Sequence, residues 1–133
     1  MKVLTIKEPF ATLISKGIKK IETRSWKTKY RGKLYIHAGL SKDYRKIDEI
    51  NKIIKDLNFN YGKIICEVEL VDCIYMTEEF IEKLKKNNKI EYLVGHYEVG
   101  RYAWILDNVK LLDKKIDAKG KLSIWNYTID KKQ

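Results

Sequence analysis

Hydrophobic positions along the chain switch repeatedly between a two-residue and a three-to-four-residue period, and this predicts alternating short strands and helices. Lys2–Ile6 alternates as a short strand. Pro9, at a first-turn position, opens a two-turn helix through Lys16, with Gly17 placed to close it. A second strand is predicted over Lys20–Ser25. After a Tyr30-Arg31-Gly32 turn, Leu34, Ile36 and Ala38 alternate with Lys33, Tyr35 and His37 in a third, which puts His37 on the face of Tyr35. Ser41 or Asp43 can cap the longest predicted helix, where Tyr44, Ile47, Ile50, Ile53, Ile54 and Leu57 recur at helical spacing until Asn58–Gly62 ends it. Lys63–Tyr75 is β-branched and long, with Ile64, Cys66, Val68, Leu70 and Ile74 on one face and Glu67 and Glu69 on the other, as in a central twisted strand. Thr77-Glu78-Glu79 starts a helix that buries Phe80, Ile81 and Leu84 and ends at Asn87 and Asn88. Tyr92–Gly100 reads as a loop, Arg101–Leu112 as a long strand and Lys121–Tyr127 as the last one. Six strands and three inserted helices without regular alternation predict an α+β fold around a small curved sheet or β-barrel, in preference to a doubly wound parallel sheet.

Length and composition fit one domain, residues 1–133: the chain has 133 residues, 44% of them hydrophobic and 35% charged, enough for an ordinary core. No apolar run approaches the roughly 20 residues of a membrane span, and Lys7 and Glu8 interrupt the N-terminus before any signal-like stretch, so a cytoplasmic protein with no membrane partner is expected. Cys66 and Cys73 lie seven apart in one predicted strand, on opposite faces, and should not pair. With two histidines, no CxxC and no HxxxH, neither a metal site nor a cofactor is implied.

Charge is unevenly distributed. The formal net charge is +10, and residues 1–46 carry 13 basic and 3 acidic residues, with 15 of each afterwards. An anionic partner would be drawn to the first third, although clustering in sequence is not clustering on a surface. Lysine outnumbers arginine 24 to 4, which compositional drift explains equally well.

The densest candidate chemistry is Gly17-Ile-Lys19-Lys-Ile-Glu22-Thr-Arg24-Ser-Trp26. As an extended strand it places Lys20, Glu22, Arg24 and Trp26 on one face and Ile21 and Thr23 on the other, with Lys19 in the preceding turn. Arg offers a rigid fork of donors, Glu accepts from an amino group and the indole stacks a planar ring. Residues alone fit a solvated strand laced by weak salt bridges at least as well. Lys27, Lys29, Arg31 and Lys33 bracket the next turn and could track a phosphate backbone or simply solvate a loop. His37 is a candidate base but more simply a packed histidine, and Trp104 and Trp125 read as core.

Lys2–Ala38 closely resembles the ASCH domain, a PUA-like β-barrel family with the signature GxKxxExR, met here as Gly17, Lys19, Glu22 and Arg24. Pro9, Phe10 and Ala11 before it, Arg31–Ala38 after it, and the blocks Tyr102–Val109 and Lys119–Trp125 continue the likeness. The resemblance implies a cleft between the barrel and the N-terminal helix that binds RNA or a nucleoside-type ligand. Lys19, Glu22, Arg24, Trp26, Pro9, Phe10, Tyr35 and Tyr102 would contact the ligand, and Lys27, Lys29, Arg31 and Lys33 an RNA backbone. One bacterial branch hydrolyses the amide of N4-acetylcytidine with a lysine, a threonine and a glutamate. Lys19 matches the lysine, but Glu22 stands at the threonine position, and Glu8 replaces a frequent glutamine, an anion that would disfavour a nearby phosphate. The alternative reading is therefore a hydrolase of a modified nucleoside amide or of RNA, with Lys19 as base and Glu22 or Glu67 as acid. A module with no nucleic-acid ligand is the third. A monomer is expected.

Overall fold

The computed structural model describes residues 1–42 and 48–128. The elements are β1 (Lys2–Glu8), α1 (Phe10–Ser15), β2 (Ile21–Arg24), β3 (Gly32–Lys42), α2 (Asp48–Ile54), β4 (Lys63–Tyr75), α3 (Glu78–Asn87), α4 (Lys89–Leu93), β5 (Tyr102–Asp117) and β6 (Ile124–Asn126). All six strands form one mixed sheet in the order β2-β5-β4-β3-β1-β6. The α+β class holds.

β4 lies inside the sheet between β3 and β5, antiparallel to both; Cys66, Val68 and Leu70 are buried and Glu69 exposed as the alternation predicts, but Ile65 is buried too, Ile74 is half-buried, and a register shift between Ile64 and Cys66 sends Ile64 to a second core cluster. β1 runs parallel to β3, which requires a crossover, and α1 and β2 supply it. Six residues cannot hold a helix in water, so α1 owes its existence to packing: every one of its residues is buried, Leu13 and Ile14 against Leu4, Leu34 and Trp104 in the main core. Its C-terminus closes as the glycine predicts. Gly17 has φ +74°, its N–H donates to the Ile14 carbonyl and that of Ile18 to the Leu13 carbonyl, the paired pattern of a Schellman turn.

Three differences from the sequence pattern matter. The strand order leaves β2 and β6 as edges, so the sheet is not closed into a barrel. β6 pairs with β1 only over Lys2–Leu4, which leaves the outer edge of β1 from Thr5 onward unpaired by a strand. One residue spans the opening, since Arg24 Nη2, at the end of β2, donates to the Thr5 carbonyl at 2.9 Å. Second, the helix expected to be longest is observed only over Asp48–Ile54. Ser41 and Lys42 extend β3 instead, while Asp43 and Tyr44 lie outside the described residues. Third, the loop expected over Tyr92–Gly100 begins inside a helix: α4 takes up Tyr92 and Leu93.

Both thiols are free. Cys66 is wholly buried, and burial, aided by the Glu67 charge, pushes it up to about 12, whereas Cys73 is half-buried. At pH 8 a maleimide should therefore label one cysteine in the native protein and two after unfolding. Equal native labelling rates at both would contradict this packing.

Candidate functional site

The open side of the sheet is a cleft of about 1270 Å³. Its floor and one wall come from the junction of α1 with β2: Phe10, Lys19, Glu22, Thr23, Arg24 and Trp26. The unpaired edge of β1 (Thr5, Ile6 and Lys7) and the neighbouring β3 residues His37, Gly39 and Leu40 form a second wall. The segment after α4 (Val94, Gly95 and His96) and Arg101 form a third, and residues 117–123 a fourth.

The chemistry at the floor is held by short-range contacts. Glu22 is buried; its Oε1 accepts from the Thr23 N–H at 3.0 Å and its Oε2 from Arg24 Nη2 at 3.0 Å. Arg24 thus anchors Glu22 and the β1 edge with one nitrogen, leaving the rest of its donor fork toward the cleft. Lys19 is 2% exposed, its Nζ 3.7 Å from Glu91 Oε2 and 5.5 Å from the centre of the Phe10 ring. Glu91 is 2% exposed as well and accepts from the Lys20 N–H at 2.6 Å through Oε1. Burial raises its carboxyl above the usual range, and Lys19 is the chief influence drawing it back. Beside them the Tyr97 hydroxyl is buried, and burial with the charges of Glu91 and Glu22 pushes it upward, so it remains a donor at any working pH. The Tyr97 ring fixes the local backbone: a Cβ on Gly95 would lie 2.3 Å from Tyr97 Cε2, so only glycine fits.

Trp26 is half-buried on the cleft wall, its ring perpendicular to Trp104 with centroids 4.7 Å apart. Trp104 is fully buried and Trp125 6% exposed, which places both in the core as expected. His37 is also a packed histidine, 1% exposed. The Ala118 carbonyl, 2.7 Å from Nε2, can only accept, so Nε2 carries the proton and Nδ1 faces the Thr5 hydroxyl at 3.1 Å.

Of the residues expected to contact a ligand, Lys19, Glu22, Arg24, Trp26 and Phe10 converge on the cleft. Pro9 caps α1 without lining it. Tyr35 packs with Val3, Ile64 and Trp125 in a second core cluster, and Tyr102 lies against Tyr75 with centroids 5.6 Å apart; neither lines the cleft. Glu67 pairs with Lys33 at 3.3 Å, so it is not the acid beside Lys19; Glu91 holds that place. The basic turn also lies off the cleft: Arg31 is engaged with the Thr28 and Tyr30 carbonyls and, at 3.8 Å, with Asp72, while Lys27 and Lys29 are exposed beyond β2. The exposed cations at the cleft are Lys7, Lys119 and Lys121. Glu8 is turned away into the start of α1, so it opposes no anion in the cleft. Glu91 was findable, because Asn88 followed three residues later by Glu has the spacing of a helix-opening capping box, and the Asn88 side chain does accept from the Glu91 N–H at 3.2 Å.

Comparison with known proteins gives this geometry a family. The chain is 28% identical over 132 residues to activating signal cointegrator 1 of Homo sapiens, and equally to that of Mus musculus, covering 92% of this chain but about a fifth of each relative. A crystal structure of an ASCH protein from Zymomonas mobilis superposes with a TM-score of 0.56 at 16% identity, over 87% of this chain and 72% of that one, and therefore shares the fold. The ASCH domain family model matches residues 4–116, from β1 through nearly all of β5, and the chain belongs to the ASCH domain family.

Proposed function

We propose that the cleft binds RNA, or a nucleotide-type ligand, through a nucleobase held on its floor. The observation that carries this reading is the convergence, in one cleft of about 1270 Å³, of a fixed carboxylate, a guanidinium and two aromatic rings beneath a cationic margin. Ligand pockets commonly span about 300–1,000 Å³, so the cleft has room for a nucleotide and part of its chain. Glu22, ionised against Arg24, can accept from an exocyclic amino group with its remaining lone pairs. Arg24 can donate to a ring carbonyl or nitrogen, and Phe10 and Trp26 offer apolar faces to the base. The PUA-like character of the family supports the same class of ligand. The test is a titration of labelled single-stranded RNA at two salt concentrations. Binding should weaken with salt by a log–log slope of about 0.7 for each phosphate contacted, and Arg24→Ala should weaken it by about tenfold or more. Salt-independent binding, or Arg24→Ala binding like the natural protein, would contradict the reading.

One observation favours a second reading, hydrolysis of a nucleoside amide: Lys19, on the cleft floor, is backed 3.7 Å away by the buried carboxyl of Glu91, which does not itself line the cleft. Lys19 would hand a proton from its ammonium to the leaving amine, and Glu91, with its carboxyl raised by burial, would return one to Lys19 from behind. Incubation with N4-acetylcytidine should then release cytidine and acetate, and Glu91→Gln should abolish release while the protein remains folded. No release by the natural protein removes this reading and leaves the first intact.

A further inference from the structure

Lys119, Lys121 and Leu122 border the cleft away from its floor, and all three are exposed. Residues 117–123 leave β5 and form its outer lip before β6 begins. The lip is fixed from below. His37 Nε2 donates to the Ala118 carbonyl, and Trp125 Nε1 donates to the Thr5 hydroxyl at 3.0 Å, which in turn meets His37 Nδ1. Gly120 approaches this group so closely that a Cβ there would lie 3.0 Å from Thr5 Oγ1 and 3.1 Å from His37 Cε1. Ser123 adopts φ +56°, and the turn it makes leaves Leu122 92% exposed. A rigid lip that presents an isobutyl group to water has gained nothing in folding from that side chain. The charge around Leu122 is positive: Lys119 and Lys121, just before it, are exposed, as is Lys7 on the facing β1 edge, and no acid among the described residues pairs with them; Lys121 Nζ lies 5.9 Å from the centre of the Trp125 ring. Asp117, the carboxylate of this segment, is already bound to Lys63.

We infer that the lip is the exit for a nucleic-acid strand, so that the ligand is a single-stranded oligonucleotide and not a free nucleoside. With the base on the floor, Lys7, Lys119 and Lys121 meet successive phosphates of the strand beside it, and Leu122 packs against the face of the neighbouring base. This rests on the cleft being a nucleotide site and adds a strand path and a substrate class to it.

The experiment compares a fluorescein-labelled single-stranded RNA of about eight nucleotides with an unlabelled nucleoside and its monophosphate as competitors. Three proteins are used: the natural one, Lys119→Ala/Lys121→Ala, and Leu122→Ala, each checked for an unchanged thermal midpoint. The double variant should bind the RNA at least about tenfold more weakly at low salt, with its log–log salt slope flatter by about 1.4, two phosphate contacts. Leu122→Ala should weaken RNA binding about fivefold or more with the slope unchanged, because it removes apolar contact and no charge. Neither variant should alter competition by the nucleoside. If the RNA binds and both variants match the natural protein, the strand leaves elsewhere: the inference is overturned and the cleft reading survives. If the variants weaken nucleoside binding equally, the lip shapes the cleft and is not an exit, which also overturns it. If RNA, nucleoside and monophosphate all fail to bind the natural protein, the cleft reading falls and the inference with it.

Discussion

Lys19→Met is expected to destabilise the protein by about 3 to 5 kcal/mol at pH 8 and by much less at pH 4, because breaking a buried pair strands the remaining charge. The charge left behind is that of Glu91, 2% exposed, whose carboxyl is already raised by burial and drawn down chiefly by Lys19. Without the lysine it rises further. A carboxyl whose folded value lies above its unfolded value of about 4.3 favours the fold fully below that value and loses this contribution as pH climbs through the folded value. The deficit of the variant must therefore grow from pH 4 toward pH 8. Adding Glu91→Gln should recover most of the loss at pH 8, since the amide is neutral and its oxygen can still accept from the Lys20 N–H. Urea unfolding of the natural protein, the single and the double variant at both pH values measures this. A deficit equal at pH 4 and pH 8, or a double variant no more stable than the single, would contradict the pairing.

Glu8→Ala should cost a comparable amount, about 3 to 5 kcal/mol, since hydrogen bonds to a charged acceptor contribute about 1.5 to 3 kcal/mol each and are not fully additive. Glu8 is fully buried and accepts three: from the Thr12 N–H at 2.8 Å, the Thr12 hydroxyl at 2.5 Å and the Asn60 N–H at 2.8 Å. It serves as the missing cap of α1, whose preceding residue is a proline with no side-chain oxygen, and ties that helix to the segment leading into β4. Glu8→Gln should fall between, because its amide nitrogen must face one of these donors. Urea midpoints ordered natural, Gln, Ala are the expected result. An alanine variant within about 1 kcal/mol of the natural protein would show that the network contributes little.

What was legible in the sequence followed from local periodicity. β4 was delimited to the residue because a β-branched run, alternating from Cys66 to Leu70, lies between Gly62 and the acids at 78 and 79, although buried Ile65 and the register shift beside it break the alternation at its start. Gly17 announced the end of α1, whereas Lys19, Glu22, Arg24 and Trp26 as one side of a cleft followed from the resemblance to the ASCH signature and not from periodicity. What was not legible depends on distant pairing. Sheet closure is decided by whether β2 meets β6, residues about a hundred positions apart, and no local pattern reports it. Tyr35 and Tyr102 alternate like cleft residues, yet they pack with Trp125 and Tyr75 because of which strands neighbour them. From sequence Glu67 is a candidate acid; the fold pairs it with Lys33 and brings Glu91 to Lys19, from 72 residues away. The basic turn after Trp26 drew attention by density, while the cations that do border the cleft, Lys7, Lys119 and Lys121, come from both ends of the chain.

Tryptophan fluorescence reports whether a base occupies the cleft floor beside Trp26. Trp104 and Trp125 are buried in the core, so Trp26 is the indole a ligand in the cleft can reach. Titrating unlabelled single-stranded RNA should quench the emission in a saturable manner, at the same midpoint as binding followed by anisotropy, and Trp26→Phe should bind with little loss and no quenching. RNA binding with unchanged emission, or quenching that persists in Trp26→Phe, would place the ligand outside this cleft.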